Sequence, residues 1–116
     1  MARALESMAK TEALFRDVNE RIATAAGQFG SDDAEFVCEC ADPTCVERVE
    51  VPLEVYEDVR AEPTTFILAT GHEEGSIEKV VETRRRFQIV DKVNRKVVAV
   101  VRKLDPRKRE PNLEPG

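Results

Sequence analysis

The chain holds three cysteines and one histidine, and all four fit one metal site. Cys38, Cys40 and Cys45 fall within Cys38-Glu39-Cys40-Ala41-Asp42-Pro43-Thr44-Cys45, and His72 follows in Gly71-His72-Glu73-Glu74. Three thiolates and one imidazole make the four-donor set that structural Zn2+ takes in tetrahedral geometry. No thiol and no imidazole is left over. Asp42 or a water molecule is the alternative fourth ligand should His72 lie elsewhere. The competing reading has the cysteines as small buried residues and His72 as an exposed loop residue. Clustered thiolates can also be oxidised and release their metal, which leaves a redox-sensing site open.

An enzyme is not expected. Catalytic zinc keeps an open position for water or substrate, and four protein donors would close it. Three thiolates also lower the Lewis acidity of the metal. His72-Glu73 is like the H-x-E of zinc deaminases only superficially: the glutamate is adjacent, and no Pro-Cys-x-x-Cys follows. The chain has no H-E-x-x-H, P-loop, G-x-S-x-G or dinucleotide fingerprint.

The length of 116 residues suits one small domain, in which a metal staple matters to stability. Nothing in the chain is apolar for long enough to span a membrane. The N-terminal segment carries acids and lacks an apolar h-region, so a cytoplasmic protein is expected. In a reducing compartment, close-spaced cysteines are more often ligands than disulfides.

The net charge of −5 hides an asymmetry. Residues 1–78 carry 6 Lys/Arg against 18 Asp/Glu, and residues 79–109 carry 12 against 3. Arg84, Arg85, Arg86, Arg95, Lys96, Arg102 and Lys103 are therefore candidate contacts to phosphates or an acidic partner. A nucleic-acid role through segment 84–109 is the runner-up reading. It is weakened by the acidic whole chain and by Phe87 being the one aromatic there. The plainer alternative is that the basic part docks on the acidic part of the same molecule.

These residues need elements to position them. Residues 4–26 contain no Gly or Pro and predict a long helix. Leu5, Met8, Phe15, Val18, Ile22 and Ala25 recur at helical steps, with Leu14 alongside and Glu12 interrupting. That face is expected on the metal-bearing core. Alternatively it meets a partner helix, in a homo-oligomer or another protein, with Leu5, Met8, Phe15, Val18 and Ile22 as the interface. Gly27 reads as the C-cap, and residues 28–33 as a connector.

Glu35 to Cys40 alternates as a strand, so Cys38 and Cys40 leave on one side. Asp42-Pro43-Thr44 supplies the turn that brings Cys45 back. Val46 to Val51 returns as the second strand of a zinc-stapled hairpin. Pro52 opens a short helix through Tyr56 to about Arg60. Thr64 to Ala69 is a short strand with His72 on the loop beyond it. Lys79–Glu82 and Phe87–Asp91 read as two strands. Segment 95–104 fits strand or helix, and its valines favour strand. Residues 105–116 are polar and Pro-rich and read as a flexible tail.

The segments Phe36 to Val49, Tyr56 to Phe66 and Gly71-His72 resemble a group of small, uncharacterised bacterial proteins with an F-x-C-E-C-x4-C pattern and a later G-H. The likeness takes in about residues 10–107, including Glu12 to Ile22 in the first helix. It implies that Cys38, Cys40, Cys45 and His72 act as one set, and it implies no activity. Residues 93–104 are more basic and β-branched than the resemblance leads one to expect.

The expectation is one zinc finger-like α+β domain over 1–104: a long N-terminal helix, a zinc-stapled β-hairpin, a short helix and a small antiparallel sheet. Its expected role is a structural-zinc interaction or regulatory module that binds another macromolecule, a protein first.

Overall fold

The computed structural model describes residues 2–107. The fold is α+β. In order come α1 (Ala2–Gln28), β1 (Asp33–Val37), β2 (Arg48–Pro52), α2 (Leu53–Val59), β3 (Thr65–Leu68), β4 (Glu78–Thr83), β5 (Gln88–Lys92) and α3 (Arg95–Lys103). β1 and β2 form an antiparallel hairpin, and β3, β5 and β4 form an antiparallel sheet in that order. The hairpin register sets Phe36 opposite Val49 and Ala34 opposite Val51.

The period of two along each strand divides the interior. Phe66 pairs with Val90 and Ile67 with Ile89 across β3 and β5. Phe66, Leu68 and Val90 face one core, shared with Ala9 of α1, Val97 and Val101 of α3, and Cys38 and Cys40. Ile67, Ile89 and Phe87 face a second core with Phe36, Val49, Val51, Tyr56 and Val59. Phe36 and Tyr56 stack there, with ring centroids 4.3 Å apart. The metal-type cysteines thus sit at one end of the first core, and the bare hairpin belongs to the second.

The fully buried line of helix α1 is offset from the face its large apolar residues mark and overlaps it only in part. Its buried line runs Ala9, Glu12, Ala13, Arg16, Asn19, Ala23 and Ala26. Leu5 and Met8 pack on the first core and Ile22 on the second. Leu14 and Val18 stay 61% and 37% exposed, and Ala25 is exposed. Alanines let α1 approach closely, and three long polar side chains anchor it. Arg16 donates to the carbonyls of Pro63 and Val101, at 2.6 and 2.7 Å. Glu12 and Lys92 are 3.1 Å apart, both fully buried, and Lys92 also pairs with Glu78.

Two expectations are corrected. Gly27 is not the cap of α1. Ser31 N–H reaches Ala26 O at 2.9 Å and Gly30 N–H reaches Gly27 O at 3.1 Å, so the left-handed residue is Gly30, at φ 69°. Segment 95–104 is a helix, not a strand. The Asn94 side chain accepts from the N–H groups of Lys96 and Val97 and caps it. Val97 and Val101 then fall on one buried face, and that burial overrides the β propensity of valine.

Of the segment read as a tail, Asp105 and Arg107 are tied into the fold. Asp105 pairs with Arg60 at 2.5 Å, and Arg107 pairs with Glu20 and Glu57 at 2.6 and 3.0 Å. Lys108 to Gly116 lie outside the described residues. Among those described, no helix is long and apolar enough to cross a membrane.

Candidate metal centre

The chain leaves β1 at Val37 and turns through the cysteine loop before β2. Alternation persists for three residues past the strand. Cys38 and Cys40 are buried on one side, and the carboxylate of Glu39 is buried on the other. Cys38 N–H still pairs with Glu47 O at 3.1 Å, as an extension of the hairpin. Asp42 then makes the turn: its Oδ1 accepts from the Thr44 N–H and hydroxyl at 2.9 and 2.7 Å. Its carbonyl accepts from Cys45 N–H at 3.0 Å. The carboxylate of Asp42 is thereby spent on the loop.

His72 arrives from the other sheet. The chain leaves β3 and turns tightly, with His72 N–H on Ala69 O at 3.1 Å. Gly71 sits at φ 87°, a backbone conformation a side chain would strain. The turn aims Nδ1 of His72 at two sulfurs, Cys38 Sγ and Cys45 Sγ, each 3.6 Å away. The donor atoms of Cys38, Cys40, Cys45 and His72 all lie within 4.8 Å of one another. Three cysteines and one histidine thus come together as expected for a metal site.

The surroundings hold this set in place. Ala69 N–H donates to Cys38 Sγ at 3.1 Å, the kind of contact that tunes a thiolate ligand from outside. Burial pushes the thiols of Cys38 and Cys40 above their ordinary value, against backbone hydrogen bonds from Ala69 and Asp42. Both are neutral thiols without a cation. The nearby carboxyls of Asp42 and Glu73 are held below the usual range, the first by Thr44 and the second by Gln88. A cleft of about 380 Å³ opens beside Cys40 and His72, lined also by Met8, Ala41, Asp42, Gly71 and Glu74.

Two supporting residues escaped the sequence reading. Glu39 accepts from Ile67 N–H at 3.0 Å and from Asn19 Nδ2 at 2.7 Å. Its own N–H donates to Ile67 O at 2.9 Å, so one residue joins the cysteine loop to β3. Asn19 in turn grips both backbone groups of Val37, at 2.8 Å each. The available signal was phase. Glu12, Arg16 and Asn19 share the helical face of Ala9, Ala23 and Ala26, and three polar groups on a small-residue face mark close packing.

The basic candidates do not converge. Arg84, Arg85 and Arg86 line a surface cleft with Asp33, Glu50, Pro52 and Phe87. Arg84 pairs with Glu82. Arg95, Lys96, Arg102 and Lys103 are exposed on α3 instead. Of the proposed helix interface, Leu5, Met8 and Ile22 pack inward, Phe15 is half-buried and Val18 is exposed. No protein family, curated protein or solved structure matches the chain.

Proposed function

We propose that the four residues hold one Zn2+ and that the protein is a zinc-stapled interaction module, regulatory in kind and cytoplasmic, binding another protein. The observation that carries the metal is the mutual approach of three sulfurs and one imidazole nitrogen within 4.8 Å. Zn–S near ~2.3 Å and Zn–N near ~2.05 Å at the tetrahedral angle give a sulfur–nitrogen edge of ~3.5–3.6 Å. Both Nδ1–Sγ separations of 3.6 Å match that edge. Thiolates disfavour Mg2+ and Ca2+, which take oxygen donors. The ion would tie the hairpin loop to the loop after β3, and so join the two sheets.

A closed Cys3His shell supports a structural ion over a catalytic one. Activity then has to come from surface recognition, and the exposed Leu14, Phe29 and Val46 offer apolar surface for it. The phosphate-binding reading draws less support. Lys92 and Arg107 are spent on internal ion pairs, and Asp33 and Glu50 stand beside Arg84 to Arg86.

Two readouts test the proposal. Co2+ loading should give the intense thiolate-to-metal absorption of a tetrahedral site, weakened in Cys45→Ser and in His72→Ala; a spectrum unchanged by either removes them as ligands. A photo-crosslinking amino acid placed in cells at Leu14, Val46, Val81 or Ala99 should capture a protein from at least one face. Capture from none would end the interaction reading.

A further inference from the structure

The three sulfurs of the cluster are not equivalent. Ala69 N–H donates to Cys38 Sγ at 3.1 Å, and the Asp42 N–H bonds to Cys40 Sγ. Among the described residues no N–H donates to Cys45 Sγ, whose contact is with His72 Nδ1 at 3.6 Å. An N–H stabilises a thiolate and lowers its nucleophilicity. Cys45 is the sulfur spared that damping.

Access sorts the sulfurs in the same order. Cys38 and Cys40 are 1% and 2% exposed, whereas Cys45 is half-buried. Its neighbours Asp42, Pro43, Thr44, Val46 and Glu47 are all exposed. An attacking molecule therefore meets Cys45 first.

A second sulfur stands in reach. The donor atoms of the set lie within 4.8 Å of one another, and a disulfide closes at ~2.05 Å. Cys40 is the better partner for Cys45. It lies on the same loop and borders the cleft of about 380 Å³, which leaves room to move. Cys38 is held at both ends, its sulfur by Ala69 and its N–H by Glu47 O at 3.1 Å. Cys38 with Cys40 is the poorest pair. Residues two apart on an extended chain stand ~6.6 Å apart at Cα, near the limit for a disulfide.

We infer that Cys45 is the oxidant-sensing thiolate of the site: a small neutral hydroperoxide oxidises it, Cys40 closes on it as a disulfide, and Zn2+ is released. This rests on the zinc reading of the same four residues and adds its regulation. The Cys45 thiolate attacks one peroxide oxygen, the O–O bond breaks and hydroxide leaves, giving a sulfenic acid. The Cys40 thiolate then attacks that sulfur, the S–O bond breaks and a second hydroxide leaves. Two electrons pass from the sulfurs to the peroxide, and solvent protons neutralise the hydroxides. Cys38 and His72 remain, too few donors for a tetrahedral ion. The cysteine loop and the His72 turn then lose their tie. Asp42 and Glu47 on the loop, with Glu74 on the cleft, repel anionic oxidants and leave a neutral peroxide unaffected.

The test treats the zinc-loaded full chain with hydrogen peroxide beside a chromogenic zinc chelator. Zinc should leave at least about tenfold faster than without peroxide. Cleavage after Glu39 and Glu47 separates Cys38 from a peptide holding Cys40 and Cys45. That peptide should be lighter by two hydrogens. Dithiothreitol and Zn2+ should restore the starting protein. In unoxidised protein, a shortfall of N-ethylmaleimide should label Cys45 at least about tenfold faster than Cys38. Cys40→Ser should stop at the sulfenic acid of Cys45, captured by dimedone. The labelling order in the parent protein does not depend on that variant holding metal. Glutathione disulfide, an anion, should act at least about tenfold more slowly than peroxide. Zinc retained through about ten equivalents of peroxide overturns the inference and leaves the staple standing. So do a first label on Cys38 or Cys40, a disulfide through Cys38 or between chains, and faster release by glutathione disulfide. A parent protein that never holds zinc overturns both.

Discussion

Glu39 stands between two cysteines of the Cys3His cluster, and its own carboxylate faces the other way. It answers the N–H of Ile67 and the amide of Asn19, both buried donors with no water to turn to. Truncating it leaves them unpaired, at a cost of about 3 kcal/mol. Urea unfolding of Glu39→Ala should show that loss, with a smaller one for Glu39→Gln, which keeps an acceptor oxygen. Equal midpoints for both variants and the parent protein would remove Glu39 from the support of the cysteine loop. Glu12 is a second buried acid with a different consequence. Burial pushes its carboxyl from 4.5 up to about 8, Lys92 opposing and Glu78 assisting. Folded, it keeps its proton to about pH 8; unfolded, it loses it near 4.5. The folded state binds the extra proton in that window, so this contribution is fully present below 4.5 and is lost as pH rises to about 8. The slope for one proton is at most about 1.4 kcal/mol per pH unit. Glu12→Gln should flatten the fall and be the more stable protein at the upper end. Parallel stability–pH curves for the two proteins would contradict the assignment.

At the scale of elements, α3 shows what a sequence conceals. Its valines favour a strand, yet Asn94 stands one residue ahead as a helix cap, and Val97 and Val101 repeat every four residues. The cap supplies acceptors for two N–H groups that a helix start leaves orphaned. Asn94→Ala should cost about 1 kcal/mol in thermal or urea unfolding, and Asn94→Asp should cost little. No loss in the alanine variant would mean that the cap carries no weight in fixing this segment as a helix. Helix α1 was legible in extent and only partly in phase. Leu14 and Val18 face outward while Leu5, Met8 and Ile22 pack at the margin of the buried face, whose centre is alanine interrupted by Glu12, Arg16 and Asn19. Hydrophobic periodicity cannot anticipate that choice, because the partners of the three polar residues come from distant segments: Lys92, Pro63, Val101, Val37 and Glu39. The hairpin was legible because its signal is local. Alternation through Phe36, Cys38 and Cys40, and the turn chemistry of Asp42, need only neighbouring residues to be read.

The whole molecule is two cores on opposite faces of a three-stranded sheet. Its charge asymmetry is partly folded inward: basic residues from the last third of the chain reach acids of α1 and α2. Arg107 reaches Glu20 and Glu57, and Lys92 reaches Glu12. Hydrogen bonds from Arg107, Tyr56 and Arg60 outweigh the burial of Glu20 and hold its carboxyl below the usual range. Between the sheets, the cysteine loop and the His72 turn meet at the Cys3His cluster, where three sulfurs and one imidazole nitrogen lie within 4.8 Å of one another. Bringing Cys45 and His72 onto a common ion closes a long chain loop, which is the kind of constraint that stabilises a small domain. A metal chelator should therefore lower the unfolding midpoint and loosen Cys45 and His72 before the rest of the fold. The most direct measurement is metal content per chain in protein purified without added metal, set beside Cys45→Ser and followed by thermal unfolding of both. One zinc per chain is expected in the parent protein, with metal and unfolding midpoint falling together in the variant. A parent protein that unfolds cooperatively at the same temperature with and without metal, and that the substitution leaves unchanged, would contradict the zinc staple.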